Sequence, residues 1–146
     1  MTYRTFQQRL IELQQAAGRW GLQHQPVFER AARKLGMLAG PGTLRFDGES
    51  EMDVLMDGLI YEEQVQQRKV VAAFLAGYPC RDEMDRQLVA AMRTARFGLY
   101  RIETILAERA EIELKALVAE ATDTTLINVG LAKTAKPGAI LALRVL

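Results

Sequence analysis

Phe6, Leu10, Leu13, Ala17 and Trp20 recur at steps of four, three, four and three, the spacing that lines one face of a helix from about Thr5 to Arg19. Gly21 is the expected stop. The same step suits a coiled-coil seam, but only about two heptads of it exist, fewer than the three or four such a seam needs, so a core-facing helix is the better reading. Pro26 opens a second helix, because the N–H it lacks has no intrahelical partner in a first turn. Val27, Phe28, Ala31, Ala32 and Leu35 give that helix an apolar side as far as Gly36, and its polar side carries Arg30, Arg33 and Lys34. Gly40, Pro41 and Gly42 then mark a loop. A third helix is expected to start at Ser50, a good cap, and to run through Leu55, Leu59, Ile60, Val70 and Phe74 to Gly77. A fourth spans about Asp82 to Ala95 on Met84, Leu88, Ala91, Met92 and Ala95.

From Phe97 the period drops to two. GLYRIETIL, EIELKAL, TTLINVGL and ILALRVL are short alternating or β-branched runs, separated by AERA, EATD and TAKPG, and such a series reads as antiparallel strands joined by turns. The expected fold is α+β: about four helices over residues 1–96, then a small antiparallel sheet or partial barrel over 97–146, the two packed as one unit. VGLAKTAKPGAILALRVL, following RFGLYRIETIL, resembles the small β module that closes helical-plus-β segments in a group of uncharacterised bacterial proteins. The resemblance covers about the last fifty residues, rests on little more than the Pro137-Gly138 turn and a strand carrying Arg144, and implies no activity. The final apolar strand runs to Leu146 without a polar tail, which suggests a fragment of a longer protein.

Half the residues are hydrophobic and a quarter charged, an ordinary globular balance that gives no segment the composition of a disordered tract. Cys80 is the single cysteine, so an internal disulfide and a thiolate zinc cage are both excluded. No apolar run approaches a membrane span and the N-terminus lacks a signal-peptide core. A soluble cytoplasmic protein with no membrane partner is expected.

Net charge is only +1, but it is segregated. Residues 1–45 carry seven Lys/Arg against two Asp/Glu, 46–63 carry seven acids and no base, 64–96 carry six bases and three acids, and 97–146 carry six of each. In the acidic block, Glu51 and Asp53 suit a helix N-terminus on dipole grounds, and helical projection puts Asp53 and Asp57 beyond the apolar stripe. Glu63 is the anomaly. On an unbroken helix it falls at about 120° from Glu51, in the middle of that stripe, where an ionised carboxylate needs a basic partner or a raised pKa. Three readings stay open: a break at Tyr61 to Gln67 that turns the polar patch outward, a buried pair with an arginine, or a catalytic carboxylate.

Other chemistry finds little support. A di-iron carboxylate bundle needs Glu-x-x-His pairs, and His24 is the only histidine. Asp53 and Asp57 alone are too few oxygens for a hard cation, so no metal and no cofactor is expected. Ser50 is spent as a cap, and Cys80 has no assignable activating neighbour. Glu113-Leu114-Lys115 with Glu103 upstream is superficially similar to the metal-binding core of PD-(D/E)xK nucleases, but no helix is expected after it and the polar face of any half-buried strand would look alike. AGPGT lacks the lysine and spacing of a phosphate loop.

The expected function is therefore a non-enzymatic interaction or scaffold module. It would dock through complementary charge: Glu49, Asp53 and Asp57 against a protein partner or a second copy, with Arg30, Arg33 and Lys34 as a possible other half. One alternative is an enzyme using Glu63 as a buried acid or base in a pocket between helices. The other is nucleic-acid binding, through the basic second helix or through Arg101, Lys115, Lys133, Lys136 and Arg144 with Phe97 or Tyr100 stacking a base. A sheet segment without net positive charge argues against the latter.

Overall fold

The first apolar face folds as expected and extends further. Helix α1 spans Tyr3–Leu22, with the Thr2 hydroxyl accepting from the Thr5 N–H at its start. Gly21 does not stop it. That residue lies inside the helix, where an added Cβ would come within 3.2 Å of Leu59 and Val70; the glycine serves close packing rather than termination. Helix α2, Gln25–Lys34, begins with Pro26 in its first turn, and His24 precedes it with its ring 4.5 Å from that of Trp20. This is the computed structural model of residues 2–146, in which the chain falls into two units, Met1–Arg93 and Thr94–Leu146.

Between α2 and the next helix the expected loop is a hairpin, β1 (Leu38–Gly40) with β2 (Thr43–Leu44). Pro41 and Gly42 form its turn, and Gly42 sits at φ 68°, the left-handed position at which a side chain is disfavoured. Helix α3 covers only Ser50–Tyr61. Ser50 does not cap it; the first turn is instead held by the Glu51 carboxylate, which accepts the backbone N–H of Asp47. The expected long third helix is interrupted by a second hairpin, β3 (Gln64–Val65) with β4 (Arg68–Lys69), and resumes as α4, Val70–Ala76. Helix α5, Glu83–Thr94, closes the unit. Five helices thus stand where about four were expected. Their core includes Leu13 and Ala17 of α1, Ala31 and Ala32 of α2, Leu55 and Leu59 of α3, Val70 of α4 and Leu88 and Met92 of α5, each at most 2% exposed.

The second unit has the four expected strands: β5 (Arg96–Leu106), β6 (Glu111–Ala116), β7 (Thr124–Ile127) and β8 (Ile140–Val145). They form one antiparallel sheet in the order β7-β6-β5-β8, curled into a half-barrel. Alternation on β5 buries Tyr100 and Ile102 and turns Phe97, Leu99, Arg101 and Glu103 outward, and a register shift between Ile102 and Thr104 accommodates the curl. The segment after β7 is not strand. It forms α6, Val129–Thr134, capped by the Asn128 side chain accepting from the Leu131 N–H at 2.8 Å, and α6 contributes Leu131 and Ala132 to the core beside Tyr100, Ile112 and Leu114.

Gly98 shows how tight this core is. A Cβ there would lie 2.7 Å from the Tyr100 ring and 2.9 Å from the Ala121 Cβ. Gly98→Ala is therefore expected to displace the Tyr100 ring and to cost about 1 kcal/mol, as overpacking does, read as a shifted urea midpoint with the Tyr100 ring resonances moved.

Candidate functional site

Helix α3 ends because the backbone turns at Glu62 and Glu63, whose N–H groups both return to the Gly58 carbonyl, at 3.0 and 3.1 Å. The hairpin that follows is a two-residue turn, with Gln66 at φ 50° and Gln67 at φ 66°. Successive left-handed residues suit the twist of a tight hairpin, but the residues that adopt them freely are Gly, Asn and Asp. Two glutamines there carry strain of roughly 1 kcal/mol each. The break turns Gln64, Gln66 and Gln67 outward. Glu63 nevertheless stays inside, 2% exposed, so the break and the buried ion pair are both present.

Glu63 joins three helices. Its carbonyl accepts from the Val70 N–H at 2.9 Å, which starts α4, while its own N–H closes α3. Across on α2, Arg30 Nε donates to Oε2 at 2.5 Å and Lys34 Nζ lies 2.5 Å from Oε1. Arg30 is fixed further by its Nη2, which donates to the Gln64 carbonyl at 2.8 Å. Burial alone raises the Glu63 carboxyl; hydrogen bonds from Lys34 and Arg30 more than offset it and leave its pKa below the ordinary value. A carboxylate so stabilised, with a cation on each oxygen, is neither a proton donor at neutral pH nor a strong base. Beside it opens a polar cleft of about 370 Å³ lined by Arg30, Lys34, Glu62, Glu63, Gln64 and Gln67.

A second buried carboxylate, which the sequence reading passed over, is Asp85 at 0% exposure. Asp82 caps α5 by accepting the Asp85 N–H at 2.9 Å, which places Asp85 in the first turn. Its Oδ2 accepts the backbone N–H and the Nε of Arg81, both at 2.9 Å, and its Oδ1 accepts Arg9 Nη1 of α1 at 2.7 Å. Glu12 and Asp82 complete the network around these cations, 3.7 Å from Arg81 and 3.6 Å from Arg9. The Arg81 side-chain hydrogen bond, opposed by burial and assisted by the Arg81 N–H and by Arg9, brings the Asp85 pKa down to about 2. Among the described residues no buried side-chain nitrogen or oxygen lacks a partner.

The remaining candidates are dispersed. Glu49 and Asp53 are exposed on the first turns of α3, and Asp57 is half-buried. Arg33 is exposed, whereas Arg30 and Lys34 are engaged with Glu63. In the half-barrel, Tyr100 is a core residue and cannot stack a base. Arg101 pairs with Glu103 at 2.6 Å, Lys115 with Asp123 at 2.8 Å, and Arg144 lies 5.8 Å above the Phe97 ring, so two of the five cations pictured as a basic groove are paired with carboxylates. A helix does follow Glu113-Leu114-Lys115, namely α6, but Lys115 is occupied by Asp123. Among the described residues no three His, Cys, Asp or Glu side chains are grouped to share a metal ion, and no helix is long and apolar enough to cross a membrane.

Fold and sites together define an α+β protein in which two buried, cation-held carboxylates fasten a helical unit and a curled four-stranded sheet follows. The chain belongs to a family of unknown function (DUF7986), whose model matches residues 1–146. That match spans the whole chain, not only the last fifty residues, and implies no activity. No curated protein and no solved structure matches the chain.

Proposed function

We propose that this protein is a non-enzymatic interaction module that docks a basic protein surface on the exposed start of α3. The observation that carries this reading is the state of Glu49 and Asp53: both are exposed, and among the described residues neither has a cation paired with it. Beside them Phe46, Met52 and Val54 are 37%, 42% and 50% exposed, so the surface combines uncompensated negative charge with apolar area. Such a combination suits a partner that presents lysines or arginines around an apolar side chain, charge steering the encounter and apolar burial holding it.

Arg30 and Lys34 are committed to Glu63, which leaves Arg33 as the basic residue of α2 without such a role. That weakens α2 of a second copy as the counter-surface and favours a different protein. The single exposed cysteine, at home in a reducing compartment, supports placing this role in the cytoplasm.

Double reversal, Glu49→Lys with Asp53→Lys, tests the docking. Both positions are solvated, and loss of the favourable charge at the helix N-terminus is expected to lower the melting temperature by only several degrees, the unit staying folded. Any basic protein captured by the wild-type chain is expected to bind the double variant at least about tenfold more weakly. Unchanged capture by the double variant, at a temperature where both chains are folded, refutes the reading.

A further inference from the structure

We propose that a cavity within the second unit, at the Arg96 end of β5, binds a free α-amino acid with an apolar side chain, a role beyond the docking read on α3. The cavity follows from one missing side chain. Alternation puts Arg96, Gly98, Tyr100 and Ile102 on the same, inward face of β5, and Val145 of β8 stands opposite Arg96. Gly98 adds nothing to that row, and Tyr100 leans back into the room it leaves: a Cβ on Gly98 would lie 2.8 Å from the Tyr100 hydroxyl and 2.9 Å from the Ala121 Cβ. The phenol thus extends along the strand towards Arg96, and the β6–β7 connection passes over it at Ala121. A cavity of about 240 Å³ remains there, with Arg96, Tyr100 and Val145 on one side and Glu120, Ala121 and Thr122 on the other.

The Tyr100 hydroxyl marks this cavity as built to hold something. Tyr100 is 2% exposed, and a phenol so enclosed ordinarily hydrogen-bonds within the protein. Among the described residues the hydroxyl has no partner, although every fully enclosed side-chain oxygen has one. It is therefore the part of the residue that opens on the cavity. A rigid, packed ring holds one donor at the wall with its bond unspent.

Charge then selects the ligand. Arg96 and Glu120 both line the cavity, and among the described residues neither is paired with the other or with any further charge. An aliphatic acid would use Arg96 and leave Glu120 idle; an aliphatic amine would do the reverse. An α-amino acid carries both charges on one carbon. Its carboxylate accepts from the Arg96 guanidinium and the Tyr100 O–H, and its ammonium donates to Glu120 and to the Thr124 hydroxyl, which faces the same space. Ala121, Val145 and Leu146 supply apolar wall, on which an aliphatic side chain gains by burial. The volume lies below the roughly 300 Å³ at which pockets for larger ligands begin, a fit for a molecule of the size of leucine.

Calorimetric titration of the full chain with L-leucine, isocaproate and isopentylamine separates the groups, because the second lacks the ammonium of leucine and the third its carboxylate. Leucine is expected to bind with a millimolar or lower Kd, and each partial analogue at least about tenfold more weakly. Tyr100→Phe keeps the ring and breaks no bond within the protein, so its melting temperature is expected to match wild type while leucine binds about three- to tenfold more weakly, the loss of one hydrogen bond. Arg96 and Glu120 are exposed, and their variants are expected to stay folded. Glu120→Gln is expected to bring leucine down to the affinity of isocaproate, and Arg96→Gln to that of isopentylamine. Either analogue binding as tightly as leucine overturns the assignment, as does full affinity in folded Tyr100→Phe or Glu120→Gln, or no binding of leucine at millimolar concentration.

Discussion

Asp85→Ala is expected to cost the helical unit about 3 kcal/mol, a large share of the roughly 5–15 kcal/mol that holds a domain of this size together. Among the described residues the carboxylate makes the close ion pair from α5 to α1, and removing it leaves Arg9, whose side chain is only 21% exposed, with the longer contacts to Asp82 at 3.6 Å and Glu12 at 3.9 Å. The cost is set below the upper range for broken buried pairs because Arg81, 52% exposed, can turn to water. Urea unfolding followed by Trp20 fluorescence isolates the effect, since Trp20 is the single tryptophan and lies on α1. Asp85→Asn is expected to lose less and to change the response to acid. Folding lowers the Asp85 pKa from 3.8 to about 2, so the fold favours the ionised form. Its contribution, about 2 kcal/mol by the size of that shift, is complete above pH 4 and is lost as the pH falls towards 2. The stability of wild type is expected to drop through that window more steeply than that of Asp85→Asn. Parallel slopes would show that Asp85 does not carry the acid sensitivity.

Removal of the other buried carboxylate, Glu63→Ala, is expected to cost about 2 kcal/mol. The loss is smaller because both of its cations already face solvent and can rehydrate. Here too the sign with pH is fixed by a lowered pKa: Glu63 contributes fully above its unfolded value and loses that contribution as acid protonates it in the fold. Glu63→Gln keeps the shape and an acceptor oxygen, and is expected to recover about half of the lost stability. A melting temperature for Glu63→Ala equal to wild type would mean that Arg30 and Lys34 hold α2 in place without it.

The two carboxylates also mark what a sequence reader can see. Glu63 stood out because projection on an unbroken helix put it among leucines; the helix is broken, yet the suspicion that it needed a basic partner was sound. Asp85 carries the same signal. On α5 it projects about 100° from Met84, between Met92 and Val89, and the same projection would have found it. The strands of the half-barrel were legible because alternation on β5 and β6 coincides with one buried face. The β3–β4 hairpin was not, because its turn is Gln66-Gln67 and none of the glycine, asparagine or proline signals of a turn is present. Strand was also read through Val129 to Leu131, although Asn128 ahead of that run is a good helix cap and α6 starts there.

The bond between Arg9 and Asp85 spans 76 residues, and that separation has a bearing on synthesis. A ribosome releases the chain from its N-terminus, so α1 emerges with its cationic side unmatched and waits while the rest of the helical unit is made. Only when Asp85 follows can the first helix be latched to the last. The helical unit therefore closes on its own beginning, and a chain truncated before α5 is expected to be cut by proteases near Arg9, while the part of α1 around Gly18 and Gly21 stays protected against Leu59 of α3 and Val70 of α4.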